Sequence, residues 1–172
     1  YISGVILYDE TLRQTTLSGI PFANYLNDHG IIPGIKVDKG LIALPNTADE
    51  QATAGLDGLA ERFEEYKQLG AKFAKWRAVF NITDKEPSDL AIHVNAHGLA
   101  RYAAIAQAAG IVPIVEPEVL MDGCHDLFRA KEVTEKVLVR VFEELHAQHV
   151  SLEGMVLKPN MVVAGLTCTK QP

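Results

Sequence analysis

Lys158 lies in the stretch Gly154-Met155-Val156-Leu157-Lys158-Pro159-Asn160. This is a short apolar run that carries one lysine to its end and stops, because Pro159 has no N–H with which to continue a ladder. A lysine held at a strand end in a crowded polar pocket is a candidate imine-forming nucleophile. Taken alone, the stretch fits a surface lysine closing a strand better. Three other strand-like runs repeat the design. In Lys72-Phe73-Ala74-Lys75-Trp76-Arg77, alternation puts Lys75 and Arg77 on one face and Ala74 and Trp76 on the other. Lys36 and Asp38 share a face in Ile35-Lys36-Val37-Asp38, and Glu116 and Glu118 share one in Val115-Glu116-Pro117-Glu118. Lys36, Asp38, Lys75, Arg77, Glu116, Glu118 and Lys158 make four cations and three anions, a slightly positive set in a chain of net charge -6. Such a set suits an anionic substrate, with phosphate esters the first choice.

A lysine nucleophile must be neutral for part of the time at pH 7. Lys75 and Arg77 nearby, together with burial, would disfavour the charged form of Lys158. Glu116 is placed to move protons while a carbinolamine becomes an iminium, and with Glu118 it resembles a carboxylate pair for acid–base work. Lys36 and Asp38 fit a stabilising ion pair as readily as a substrate contact. The histidines stay outside this pattern. His93, His97, His146 and His149 fall on helical patterns, and His29 and His125 on connections. They read as surface or satisfied side chains; no metal site is expected, and Schiff-base chemistry needs no cofactor.

These side chains need strands to carry them. Apolar strand candidates recur at residues 3–8, 31–37, 72–79, 111–117 and 154–157. Between the later ones, Leu56, Leu59, Phe63 and Tyr66 form one apolar stripe at helical spacing. Leu99, Tyr102, Ala103 and Ala106 form a second; Val133, Val137, Val141, Phe142 and Leu145 form a third. Gly70 and Gly110 read as left-handed caps past helix ends, and Ser88 after Pro87 as an N-cap. A short helix is expected within residues 21–28 and a loop over 46–55. Alternating strands and helices make this an α/β chain of parallel βα units. An open sheet would spread four charged strand ends over roughly 14 Å, at about 4.8 Å per strand. Closing the sheet turns them toward one mouth, so the expected architecture is a (β/α)8 TIM barrel, partial, with about five of the eight units present.

Residues 1–172 read as one domain. The 48% hydrophobic content with mixed charge fits a globular protein. No apolar run approaches the ~20 residues of a membrane helix, and the acidic balance without a basic run argues against a nucleic-acid partner. Cys124 and Cys168 lack metal spacing and read as reduced thiols of the cytosol. The chain starts at Tyr1, not Met, and reads as a piece of a longer protein.

Residues 34–40 (GIKVDKG), 55–59 (GLDGL), 73–77 (FAKWR), 99–103 (LARYA), 110–118 (GIVPIVEPE) and 152–161 (LEGMVLKPNM) resemble class I fructose-bisphosphate aldolase over essentially the whole chain. The resemblance implies a cytoplasmic enzyme of glycolysis and gluconeogenesis, a homotetramer at full length. Such an enzyme reversibly cleaves fructose 1,6-bisphosphate into dihydroxyacetone phosphate and glyceraldehyde 3-phosphate. Lys158 then becomes the Schiff-base lysine, Glu116 the main proton-transfer carboxylate and Glu118 a supporting one. Lys75 becomes a catalytic and substrate-binding cation, with Lys36, Arg77 and Asp38 in the substrate-binding set. The family's first strand would precede Tyr1 and its last two would follow Pro172, so the piece alone is expected to be inactive. Val94, at a helix position usually acidic in animal and plant members, and Cys124 suggest a bacterial-type sequence. Two other readings remain open at this point: another Schiff-base barrel lyase or transaldolase, and a non-catalytic barrel piece that binds protein.

Overall fold

The computed structural model describes residues 1–169. All five expected strands are present: β1 (Gly4–Leu7), β2 (Ile32–Lys36), β5 (Phe73–Phe80), β6 (Val112–Val119) and β7 (Val156–Leu157). They form one parallel sheet in the order β1-β2-β5-β6-β7. Consecutive strands of one sheet run parallel because a helix returns the chain each time. The main returning helices are α2 (Phe22–Asp28), α3 (Leu59–Gln68), α4 (Asp89–Ala108) and α5 (Leu127–Ala147).

The core lies between the outer face of the sheet and the helices. Ala74, Trp76, Ala78 and Phe80 alternate outward along β5 and are buried. The three apolar stripes pack there: Leu59, Phe63 and Tyr66 from α3, Leu99, Tyr102, Ala103 and Ala106 from α4, and Val133, Val137, Val141 and Leu145 from α5. Trp76 stacks on Tyr102 with ring centroids 5.5 Å apart. Ser88 caps α4 by accepting a hydrogen bond from the Ala91 N–H, and Asp126 caps α5 by accepting one from Arg129. The helix ends follow the glycines: Gly70 and Gly110 have φ of +102° and +74°, which side chains with a Cβ rarely adopt.

Alternate residues point to the inner face, which is layered. Its lower layer is apolar, with Ile32, Phe73, Ile114 and Val156; the charged residues stand above it. Gly34 sits directly across from Phe73, and a Cβ there would lie 2.3 Å from the ring. Glycine is required because the Phe73 ring fills that space.

Three details differ from the sequence expectation. Residues 46–55 are not all loop: β4 (Gln51–Thr53) pairs antiparallel with β3 (Leu41–Ala43) as a hairpin between β2 and α3. That hairpin is held from afar, since Asn95 on α4 donates to the Gln51 carbonyl at 2.8 Å and accepts from the Thr53 N–H at 3.1 Å. A five-residue helix, α1 (Asp9–Arg13), follows β1 directly. His149 lies beyond α5 with φ +56°, outside the helix on which its spacing had placed it.

Candidate active site

β2, β5, β6 and β7 end at the same edge of the sheet, and each delivers charge to the inner face. Pairing carries the register across: Lys36 faces Lys75, Lys75 faces Ile114, and Ile114 faces Val156, two residues before Lys158. Two lysines on neighbouring strands repel unless an anion lies between them. Asp38, just past β2, supplies it. One carboxylate oxygen pairs with Lys36 and the other lies 3.5 Å from Lys75 Nζ.

Glu116 repeats the arrangement on the other side. Its Oε2 lies 3.4 Å from Lys75 Nζ, and its Oε1 accepts a hydrogen bond from Lys158 Nζ. The result is an alternating row of ion pairs, Lys36, Asp38, Lys75, Glu116 and Lys158. Its centre is dry: the side chains of Asp38, Glu116 and Lys75 are 5%, 6% and 10% exposed. Charges buried this deeply persist only when paired, and each carboxylate here serves two ammonium groups.

The row ends at Lys158, whose side chain is half exposed. β7 is only two residues long, yet the Lys158 N–H still donates to the Val115 carbonyl at 2.9 Å. Beyond Pro159, Asn160 Oδ1 accepts from the Val119 N–H at 3.2 Å. The lysine is therefore tied to β6 on both sides of the proline. Asn160 was quoted in the sequence motif without a role; its tie spans 41 residues, and no local pattern reveals it.

Arg77 and Glu118 stand apart from the row. They pair with each other, and their side chains are 42% and 31% exposed. Glu116 and Glu118 are engaged by different cations, Glu116 by Lys75 and Lys158 and Glu118 by Arg77. The Arg77 guanidinium is turned to Glu118, and Lys158, expected to be buried, is half exposed. Spacing told which face these side chains share, but long flexible side chains choose partners by reach.

Other titratable groups lie elsewhere. His93 and His97 on α4 reach the Glu144 carboxylate of α5 at 3.2 and 3.0 Å, as satisfied histidines in the helix layer. Burial pushes the Tyr102 phenol well above its ordinary range, and its hydroxyl donates to the Ile114 carbonyl behind the sheet. Among the described residues, no group of three or more His, Cys, Asp or Glu side chains is arranged to hold a metal ion, and no helix is long and apolar enough to cross a membrane.

Chemically, the row offers an amine at the open mouth, a buried carboxylate touching it, and further cations beside it. That combination can form an imine and move protons around it.

Comparison with known proteins gives a consistent picture. The family model described as fructose-bisphosphate aldolase class I matches residues 1–172. A probable fructose-bisphosphate aldolase class 1 from Xylella fastidiosa is 58% identical over 99% of this chain and 51% of its own length. A pea protein (Pisum sativum) named fructose-bisphosphate aldolase, cytoplasmic isozyme 2, is 54% identical over 99% of this chain and 47% of its own length. The solved fructose-bisphosphate aldolase of Plasmodium falciparum superposes with a TM-score of 0.97 at 54% identity, over 99% of this chain and 50% of that one. The chain thus spans about half the length of the relatives it matches. Its five-stranded α/β sheet corresponds to half of an aldolase barrel, and the bacterial relative agrees with the bacterial-type features of the sequence.

Proposed function

The chain belongs to the class I fructose-bisphosphate aldolase family, and on that premise we propose that the whole protein reversibly cleaves fructose 1,6-bisphosphate through an imine on Lys158. The observation that carries this reading is the contact between Lys158 Nζ and the buried carboxylate of Glu116, whose second oxygen faces Lys75.

Lys158 attacks the C2 ketone, and the carbinolamine loses water to give an iminium. Glu116 takes and returns the protons of that step from its position against Nζ. The iminium draws the C3–C4 bonding electrons toward nitrogen once the C4 hydroxyl loses its proton. Glyceraldehyde 3-phosphate leaves, the enamine is protonated at C3, and water releases dihydroxyacetone phosphate with the free amine. Lys75 faces the second oxygen of Glu116 and adds positive potential for the phosphorylated substrate. Lys36 and Arg77, with Asp38 and Glu118 as their partners, supply cations for phosphate at the rim. The remaining barrel strands, a homotetrameric assembly and a cytoplasmic setting complete the proposal.

Trapping tests it directly. The full-length protein is incubated with dihydroxyacetone phosphate and borohydride, which delivers hydride to the iminium and fixes a secondary amine. The mass increase is expected on the peptide containing Leu157-Lys158-Pro159, and Lys158→Arg is expected to abolish both label and turnover because a guanidinium stays protonated. Label on Lys75 would exchange the roles of the two lysines. A protein that turns over substrate with no trapped adduct would sink the imine mechanism.

A further inference from the structure

Arg62 stands near the start of α3, on the helix side of the sheet. Its Nη1 donates to the Val37 carbonyl at 2.9 Å and its Nη2 to the Gly55 carbonyl. These two carbonyls flank the β3–β4 insertion. The chain leaves the sheet at Val37, whose N–H still donates to the Lys75 carbonyl at 3.1 Å, and Gly55 follows β4 on the way to α3. Between them the neck of the insertion is closed by backbone bonds, Lys39 N–H to Ala54 at 2.8 Å and Ala54 N–H to Gly40 at 2.9 Å. Val37 is 1% exposed. Its carbonyl lies one residue past β2, and the guanidinium satisfies it in place of a strand.

Val37 also lies between the two charged residues of this edge, Lys36 and Asp38. A tilt of the Val37–Asp38 peptide would move the carboxylate that sits between Lys36 and Lys75. We infer that Arg62 is a positioning residue for the reaction: it fixes that peptide and so holds Asp38 between the two lysines. A planar fork suits the task, because it grips a carbonyl on each limb of the neck at once, whereas an ammonium is a single point donor. The inference rests on the proposed aldol chemistry for its kinetic readout.

The test is a double-mutant cycle in the full-length enzyme, with active sites counted by borohydride trapping. Arg62→Gln is expected to lower kcat/KM by about 10- to 100-fold per trapped site, the scale of a misplaced group. Asp38→Asn is expected to lower it as well. Once Asp38→Asn is present, adding Arg62→Gln should change kcat/KM by less than about twofold, because the carboxylate to be positioned is gone. A purely structural Arg62 would give the same fold-loss in both backgrounds, and that result overturns the inference. Wild-type kinetics in Arg62→Gln beside a crippled Asp38→Asn overturns it too, while leaving the aldol reading intact. Wild-type kinetics in Asp38→Asn overturns the placement of Asp38 in the site, and this inference with it. If Arg62→Gln does not fold, Arg62→Lys runs the same cycle with a smaller single loss and the same criterion of coupling.

Discussion

Replacing Glu116 by glutamine separates charge from shape at the centre of the site. The amide is nearly isosteric, so packing is kept. It carries no charge, however, and one of its two ends becomes an N–H donor facing an ammonium. Both oxygens of Glu116 now face lysines, Lys75 at 3.4 Å and Lys158 in direct contact. At least one contact must therefore turn donor against donor. Loss of a positioned acid–base group lowers turnover by about 10²–10⁴, or roughly 2.7–5.4 kcal/mol of barrier at about 1.36 kcal/mol per tenfold. The cost in stability is smaller. Breaking a buried ion pair outright costs about 3–5 kcal/mol when the surviving charge has no other partner. Here Lys75 keeps Asp38 at 3.5 Å, and Lys158 is half exposed and can rehydrate. The loss should therefore be nearer the ~1.5–3 kcal/mol of a charged hydrogen bond. Turnover with fructose 1,6-bisphosphate and urea unfolding of the full-length protein measure the two quantities separately. Turnover within tenfold of wild type would refute the assignment of Glu116. A stability loss well above about 4 kcal/mol would show that Asp38 does not sustain Lys75 as the geometry implies.

Gly34→Ala should destabilise the protein by about 1–3 kcal/mol through overpacking against Phe73, and Phe73→Leu should restore part of the loss; strictly additive losses in the double variant would show that the ring is not the obstacle. A pH series tests the surface pairing of α1 with α3. Arg13 hydrogen-bonds Asp9 and Glu65 and holds both carboxyls below their ordinary values of 3.8 and 4.5. A lowered folded pKa contributes stability that is complete above the unfolded value and lost as pH falls through the folded one. The urea-unfolding gap between wild type and Arg13→Gln should thus be steady from pH 7 to about 5 and close as pH falls below about 4; a gap unchanged down to acid pH would refute the attribution.

Periodicity made much of this molecule readable in advance. Alternation at Ala74, Lys75, Trp76 and Arg77 told which side chains meet the helices and which the inner face, because a strand has only two faces. The stripes through Phe63, Tyr102 and Val137 marked helices long enough for their period to show. The β3–β4 hairpin was hidden for the opposite reason. Its strands are three residues each, and its anchors, Asn95, Ser88 against Glu50, and Thr53 against the Arg77 carbonyl, lie some tens of residues away. Face alone also could not tell that Arg77 turns to Glu118 while Lys75 takes Asp38 and Glu116. Those choices depend on strand register and side-chain reach, neither of which is written in a single segment.

Lys36, Lys75, Arg77 and Lys158 are each already paired with a carboxylate, three carboxylates serving the four. The face therefore behaves like the resin of an ion exchanger in its resting form. Under the proposed function, an incoming phosphate group at Arg77 or Lys36 would compete with Glu118 or Asp38 for donors that are already occupied, and its affinity would be the difference between two anions. Each carboxylate so displaced must find water or another donor. Along the row from Lys36 to Lys158, occupancy at one cation would be felt at the next, because Asp38 and Glu116 are each shared between two lysines.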